Sequence, residues 1–467
     1  MSIYSFFHPD LTRDKILKSV IAFTIPLVIS WIFQQLYNAV DTVIVGHFLG
    51  EKSLAAIGSC AAITELLIGF GNGFGGGLGI VAARYFGACN VEKLKKVTAG
   101  SIIITICVTA FIMVSGHFFL KPLLRLLGTP ESILDEAHSY IWTIAIFSGV
   151  LFAYNLLSGL LRAIGNSFMP LVFLIVSSVL NVILDIIFVK NFGMGVRGTA
   201  IATVFAQGIS AVFCLIYIVK KATILLPKQE SFHVGKSLYK DLTGQGLSMA
   251  LMSALVSSGS VILQSAINSF DTMIMAGHIS ARKVFAITDI PLITLGISSS
   301  TFVSQNLGAN KKDRILKGVR AACILCVAWG ILCTATIPFA SRTLIKIVSG
   351  SKNPGLIDFG AKYISFMQPF YAVLGILVVS RNSLQGLGSK LLPLISSIIE
   401  LLGKMLFTWI IIPLAGTWGI IMCEPLIWVV MTIQLVWVYE KHPIIKEARK
   451  EIKSKRTETE RLVERER

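Results

Sequence analysis

The stretch VIAFTIPLVISWIFQQLYNAVDT, residues 20–42, is a long and almost uninterrupted apolar run. It carries no charged side chain before Asp41, and it exceeds the roughly 20 residues that an α-helix needs to cross a bilayer. Lipid offers no hydrogen-bond partners to the backbone, so a spanning segment must satisfy its own amide groups, as a helix does. The stretch therefore predicts a membrane-spanning helix that begins near residue 18.

The same signal recurs along the 467 residues, for example at 102–115, 171–189 and 321–340. The chain is 54% hydrophobic and only 14% charged, with a mean hydropathy of +0.76, whereas soluble domains are about 25% charged. We therefore predict an all-α polytopic membrane protein with about twelve transmembrane helices. Their predicted first residues are 18, 54, 96, 136, 167 and 196 in the first half, and 243, 283, 316, 357, 390 and 416 in the second.

The net charge of +17 is distributed unevenly between these helices. Most of the 42 lysine and arginine residues fall in alternate connecting segments and in the C-terminal tail. Cytoplasmic loops carry this excess in membrane proteins, so both termini are predicted to lie in the cytoplasm. Arg282 and Lys283 are assigned by this scheme to an outer segment. The charge thus indicates orientation and contact with anionic lipid, and no nucleic-acid partner is expected.

The two halves of the sequence repeat each other at a nearly constant offset. Six helices per half make the repeat parallel, which is typical of secondary transporters. We expect an N-terminal lobe at 1–225, a cytoplasmic linker at 226–242, a C-terminal lobe at 243–440 and a charged cytoplasmic tail at 441–467. The matching positions are Gln34 and Gln264, Asn38 and Asn268, Asp41 and Asp271, Thr42 and Thr272, Gly87 and Gly308, Leu161 and Leu384, Gly165 and Gly388, Pro170 and Pro393, and Gly198 and Gly419.

Four polar residues of the first half fall at a similar predicted depth in the outer half of the membrane. They are Asp41 in helix 1, Asn181 and Asp185 in helix 5, and Thr203 in helix 6. Ionisable groups inside a membrane are costly and usually functional. Two facing carboxylates with amide and hydroxyl neighbours suit a proton or Na⁺, so we predict a cation-coupling site. The alternative is that both acids face water at the membrane interface.

The second half does not reproduce this set. Lys404 stands at the position of Asn181, Thr408 at that of Asp185, and Glu424 at that of Thr203. Glu400 and Lys404 are four residues apart on one helix, a spacing at which opposite charges neutralise each other. They are either structural or part of a cavity lining, and the coupling site is predicted in the first half only.

A substrate cavity is predicted near Gln34 and Tyr37. Its candidate residues are Gln34, Tyr37, Asn38, Glu65, Gln264, Asp271 and Asp289. Glu65 and Asp289 are isolated acids that either attract a cationic substrate or bond to a neighbouring helix. Pro26 removes a backbone hydrogen bond in the middle of helix 1, where it forms either a hinge or a static kink.

Motifs for catalysis or for cofactors are weak in this sequence. Gly71-x-Gly73-x-x-Gly76 matches a dinucleotide fingerprint, but no strand precedes it, so close helix packing is the better interpretation. His47, His117 and His278 lie near predicted helix ends without an evident catalytic partner. We therefore expect no enzyme activity, no cofactor, and no metal beyond Na⁺ at the coupling site.

The chain combines two sets of six predicted helices with the motifs Asn38-x-x-Asp41-Thr42, Gly87-Ala88 and Leu161-Arg162-x-x-Gly165-Asn166. In these features it resembles the multidrug and toxic compound extrusion (MATE) transporters, over roughly residues 12–440. Asp41, Asn181, Asp185 and Thr203 together are similar to the N-lobe cation site of the prokaryotic DinF-type branch. The other main branch uses acids in helices 7 and 10, and this sequence has no acid between Tyr363 and Gln385.

The resemblance implies a V-shaped pair of lobes in the bacterial or archaeal cell membrane. It also implies multidrug efflux by antiport, in which amphipathic, often cationic organic compounds leave in exchange for H⁺ or Na⁺. The expected partners are small organic cations and membrane lipids, and the monomer is expected to function. The alternative is a flippase for lipid-linked saccharides on a related fold, which would need a strongly basic central cavity.

Overall fold

A computed structural model describes residues 9–466 of the chain, and the side chains of residues 9–454. Its secondary structure is helical, and no β-strand occurs within that range. Ten helices of the described chain are long and apolar enough to cross a membrane, and two bent pairs of helices pass the same test together. Counted as one span each, the pairs bring the total to twelve, which confirms the predicted all-α architecture.

The first six spans are Ile16–Ser59 (α1), Ala61–Gly87 (α2), Val91–Leu126 (α3), Glu131–Ile146 with Ser148–Ala163 (α4), Phe168–Asn191 (α5) and Gly195–Lys221 (α6). Helix α1 is broken at Gly50, whose φ of +82° is a conformation that glycine adopts readily. The two segments of α4 meet at an angle of 45°. Helix α5 ends in a π-helical turn at Ile187–Asn191.

The second six spans are Lys236–Ile267 (α7), Thr272–Thr288 with Ile290–Gly308 (α8), Lys312–Ser349 (α9), Pro354–Gly386 (α10), Leu391–Ala415 (α11) and Thr417–Lys441 (α12), followed by the C-terminal helix Pro443–Glu466 (α13). The segments of α8 meet at 43°, matching the bent α4. Helix α11 contains a π-helical turn at Phe407–Ile411, as α5 does. The sequence repeat is therefore also a repeat of helix irregularities.

The predicted start of helix 8 near residue 283 is wrong. Helix α8 begins at Thr272 because Asp271 caps it, its side chain accepting a hydrogen bond from the Met273 amide. Arg282, assigned from the sequence to an outer segment, lies inside this helix and pairs with Glu424 at 2.8 Å. A partnered arginine within a span cannot be distinguished from a loop arginine by charge alone.

The chain forms two compact units that do not follow the midpoint of the sequence. The first unit contains Ile25–Phe86 and Asn90–Ser257. The second contains Asp10–Thr24, Gly87–Cys89 and the chain from Ser258 onward. The start of α1 thus belongs to the second unit, and the first part of α7 belongs to the first. In α1 the division falls between Thr24 and Ile25, one residue before Pro26.

The glycine-rich run of α2 packs directly against backbone within the first unit. A Cβ atom built on Gly73 would lie 2.5 Å from the Met249 carbonyl oxygen, and one on Gly77 would lie 2.6 Å from that of Gln245. On another face, a Cβ on Gly75 would lie 2.7 Å from the Asn155 carbonyl. Small residues allow such backbone contact between membrane helices, which supports the packing interpretation of this run.

The chain that precedes α1 is tied to α8 and α9 within the second unit. The Arg314 guanidinium donates to the Leu11 carbonyl at 3.0 Å and to the Asp14 carbonyl at 2.8 Å. The Asn306 amide donates to the same Leu11 carbonyl at 3.1 Å, and the Leu11 side chain is buried. These bonds satisfy carbonyls that have no partner within a helix.

Candidate functional site

Two carboxylates meet inside the first unit. Asp41 of α1 and Asp185 of α5 are in side-chain contact. Asp185 is fully buried, and neither of its oxygens accepts a hydrogen bond from a donor group of the described residues. One oxygen of Asp41 is equally unsatisfied. Asp41 is half-buried, and two negative charges in contact away from water are strongly unfavourable unless a proton or a cation lies between them.

Asn181 extends this pair by one helical turn along α5. Its side chain is 2% exposed, and neither its amide nitrogen nor its amide oxygen has a hydrogen-bond partner in the described part of the chain. Buried amides are normally satisfied, so this one is available to a ligand. The π-helical turn begins at Ile187, two residues after Asp185, and such turns are frequent at functional sites.

Asn181 and Thr203 line one small cavity of about 30 Å³. The Thr203 hydroxyl donates to the Thr199 carbonyl at 3.1 Å, which leaves its oxygen lone pairs available. A cavity of this size holds about one or two waters or a small ion and lies far below the roughly 300 Å³ of drug-sized pockets. In the conformation described, it suits an ion and its waters.

Tyr37 connects the cavity to the carboxylates. Its phenol hydrogen-bonds with Gln34 and Gln207 and lies close enough to Asp41 for an electrostatic interaction. Gln34, Tyr37 and Gln207 also line the cavity. The structure thus brings two of the proposed substrate residues, Gln34 and Tyr37, into the same site as Asn181 and Thr203.

The other predicted cavity residues lie elsewhere. Asn38 and Glu65 are exposed in the first unit. In the second unit, Gln264 donates to Asn268 at 2.8 Å, Asp271 is the exposed cap of α8, and Asp289 is buried at the bend of α8. None of these five is among the residues that line the small cavity.

Pro26 lies within α1, where the Ser30 hydroxyl donates to the Pro26 carbonyl at 2.8 Å. Proline removes a backbone hydrogen bond, and a serine that bonds back one turn often bends a helix. Both features weaken α1 beside the point at which it passes between units.

The site also contains two residues that no sequence pattern singled out, Tyr140 and Ser177. Tyr140 of α4 interacts electrostatically with Asp41, Tyr37 and Asp185, and Ser177 lines the cavity one turn before Asn181. The signal for Tyr140 was present in the repeat, because the offset that pairs Leu161 with Leu384 also pairs Tyr140 with Tyr363.

Fold and site together define a duplicated, multi-span membrane protein with a buried acidic site in one unit. The chain belongs to the MatE family, whose family model matches residues 26–187 and again 248–410. The double match follows the internal repeat. The resemblance to MATE transporters is therefore confirmed, and the chain is a multi-pass membrane transporter of this multidrug-efflux family.

Two proteins of Bacillus subtilis (strain 168) illustrate the similarity. The probable multidrug resistance protein YpnP is 24% identical over 393 residues, which are 84% of this chain and 87% of YpnP. The probable multidrug resistance protein YoeA is 26% identical over 400 residues, or 84% and 86%. A crystal structure of a MATE protein in the bent conformation superposes with a TM-score of 0.86 at 20% identity, covering 96% of this chain and 99% of that one.

Members of this family are transporters, and they need no cofactor, which agrees with the absence of catalytic motifs from the sequence. Multidrug resistance proteins among the relatives support small molecules as the substrate class. The lipid-linked saccharide flippase is not favoured.

Proposed function

We propose that this transporter exports amphipathic, often cationic organic compounds in exchange for H⁺ or Na⁺ bound at Asp41 and Asp185. The supporting observation is the contact between these carboxylates, because three of their four oxygens lack a hydrogen-bond donor among the described residues. A proton shared by the pair, or a Na⁺ held by oxygen ligands, would remove the repulsion. Asn181 and Thr203 supply the additional oxygens.

Coupling requires only that ion and substrate favour different states of the protein. We propose that ion binding from outside neutralises Asp41 and Asp185 and allows α1 to repack, with Pro26 as the hinge. The hydrogen bonds of Tyr37 to Gln34 and Gln207 would carry this change into the cavity. Release of the ion into the cytoplasm would restore the repulsion and reset the cycle.

The remaining expectations complete the proposal. Residues 1–225 and 243–440 would act as two lobes joined by 226–242, with residues 441–467 and both termini in the cytoplasm of a bacterial or archaeal cell. The substrate would contact Gln34, Tyr37, Asn38, Glu65, Gln264, Asp271 and Asp289 during the cycle. A monomer embedded in lipid would be sufficient for transport.

The test is uptake of a fluorescent organic cation into inside-out membrane vesicles. An acidic lumen and a Na⁺-loaded lumen are imposed separately, because either gradient would drive the dye inward by antiport. We expect one gradient to drive uptake in the wild type. Asp41→Asn and Asp185→Asn should each abolish it, since the neutral amide no longer binds the ion.

Asp135→Asn is the matched control. Asp135 is an exposed carboxylate of the same unit that pairs with Lys121 at 2.8 Å, so its loss should leave uptake unchanged. Uptake that neither gradient drives, or that persists in both site variants at wild-type rates, would refute the proposed coupling.

A further inference from the structure

Three positions that line the small cavity in the first unit are occupied by charged residues in the second unit. The offset of 223 that pairs Pro170 with Pro393 places Glu400 at the position of Ser177 and Lys404 at that of Asn181. The offset of 221 that pairs Gly198 with Gly419 places Glu424 at the position of Thr203. Ser177, Asn181 and Thr203 all line the small cavity of the first unit.

In the second unit these three positions form a continuous ionic chain. The Lys404 ammonium lies 3.0 Å from Glu400 Oε1 and 3.8 Å from Glu424 Oε1. It also donates to the Ser260 hydroxyl at 3.1 Å. Lys404 is 2% exposed, and both glutamates are buried. An ammonium ion therefore occupies the place that corresponds to the unsatisfied amide of Asn181.

The surroundings accommodate this lysine closely. A Cβ atom on Gly259 would lie only 2.9 Å from Lys404 Cδ, so the glycine leaves room for the aliphatic stem. Tyr363, which corresponds to Tyr140, donates to Glu424 at 3.5 Å. A tyrosine thus lies beside the charged residues at the same repeat position in both units, although the charges differ.

Each glutamate has a second basic partner. Arg282 contacts both oxygens of Glu424 at 3.0 and 2.8 Å, and Arg381 lies 3.5 Å from Glu400. Asp271, the counterpart of Asp41, is exposed at the start of α8 and caps that helix. Glu400 and Glu424 are thus paired within the second unit, whereas three of the four oxygens of Asp41 and Asp185 have no hydrogen-bond donor among the described residues.

We propose that Lys404 is a tethered cation that permanently occupies the second unit's counterpart of the coupling site. A monovalent cation would bind only in the first unit, and the second unit would remain in the ion-loaded form throughout the cycle. The role of the first unit in this inference rests on the proposed function. The replacement of a mobile cation by Lys404 rests on the second unit's own contacts.

The test uses the full-length protein purified in detergent, with its unfolding temperature followed against Na⁺ at constant ionic strength and separately against pH. The first comparison is the wild type with Asp41→Asn/Asp185→Asn. Loss of cation-dependent stabilisation in the double variant supports the proposed function, and its persistence contradicts that function alone.

The second comparison adds Lys404→Met to the double variant. Methionine preserves the stem and removes the charge. Glu400 and Glu424 would then keep one arginine partner each, and the place between them would be open to an external cation. We expect the unfolding temperature to rise by several degrees with Na⁺ or with falling pH. Lys404→Arg retains the tethered charge and should show no such rise. Glu400→Gln/Lys404→Met removes one of the two carboxylates and should show a much smaller rise in unfolding temperature.

Recovery of folded Lys404→Met only with Na⁺ or at low pH would support the same conclusion. Failure to recover it under either condition would overturn the proposal, because an external cation would then be unable to replace the lysine. The proposal would also be overturned if cations did not raise the unfolding temperature of Lys404→Met, or if they raised that of Lys404→Arg equally.

Discussion

Gly73→Ala should destabilise the first unit by forcing α2 away from α7. The added Cβ would lie 2.5 Å from the Met249 carbonyl oxygen, 2.8 Å from its carbon and 3.0 Å from the Ala250 nitrogen. All three are backbone atoms, so no side-chain rotation relieves the contact. The helices would have to separate by roughly 1 Å, a gap that forfeits about a quarter to a half of each dispersion contact between them.

Overpacking of this kind costs about 1–3 kcal/mol. Gly76→Ala is the matched control three residues further along, because its Cβ would meet only the flexible Met249 Cε at 3.4 Å. Alanine is favoured over glycine in an exposed helix by about 1 kcal/mol, so the control should be neutral or slightly stabilising. We expect thermal unfolding in detergent to show a lower transition temperature for Gly73→Ala alone. Equal transition temperatures for the two variants would refute the direct backbone packing of α2 on α7.

Two further predictions concern other parts of the molecule. Arg314→Ala should lower the stability of the second unit by about 1–3 kcal/mol, because three hydrogen bonds from a charged donor are lost, those to the Leu11 carbonyl, the Asp14 carbonyl and the Asn306 amide oxygen. Thermal unfolding checks this against Arg320→Ala, an exposed arginine on the same helix, and equal stability of the two variants would contradict it. Exposed Cys89 lies between α2 and α3, in a segment proposed to face the cytoplasm. It should react with a membrane-impermeant maleimide in inside-out vesicles but not in right-side-out ones, with Cys89→Ser as the control. The reverse pattern would contradict a cytoplasmic location of this segment.

The helical architecture could be predicted because lipid imposes it on apolar runs of sufficient length. The run at 20–42 is such a case, and the offset between Asp41 and Asp271 revealed the duplication without any structure. The helix boundaries were harder to predict from the sequence. Helix α8 starts at Thr272 and contains Arg282, whose buried partner Glu424 is 142 residues away. Local charge counting has no access to such a contact.

The site was predictable to the extent that it follows helix periodicity. Asn181 and Asp185 share a face of α5 because they are four residues apart, and the structure brings Asp185 into contact with Asp41. The participation of Tyr140 depends on how α4 packs, which no spacing within one helix reveals. The division of α1 beside Pro26 likewise depends on tertiary contacts.

Coupling between substrate and ion can be measured by counting the ions that are displaced when substrate binds. Purified protein in weakly buffered detergent solution would receive a fluorescent organic cation while a pH-sensitive dye reports protons, and a parallel sample loaded with radioactive Na⁺ reports sodium. We predict that the wild type displaces one of these ions and that Asp41→Asn/Asp185→Asn displaces neither. Substrate binding without displacement in the wild type, or with undiminished displacement in the double variant, would contradict coupling at Asp41 and Asp185.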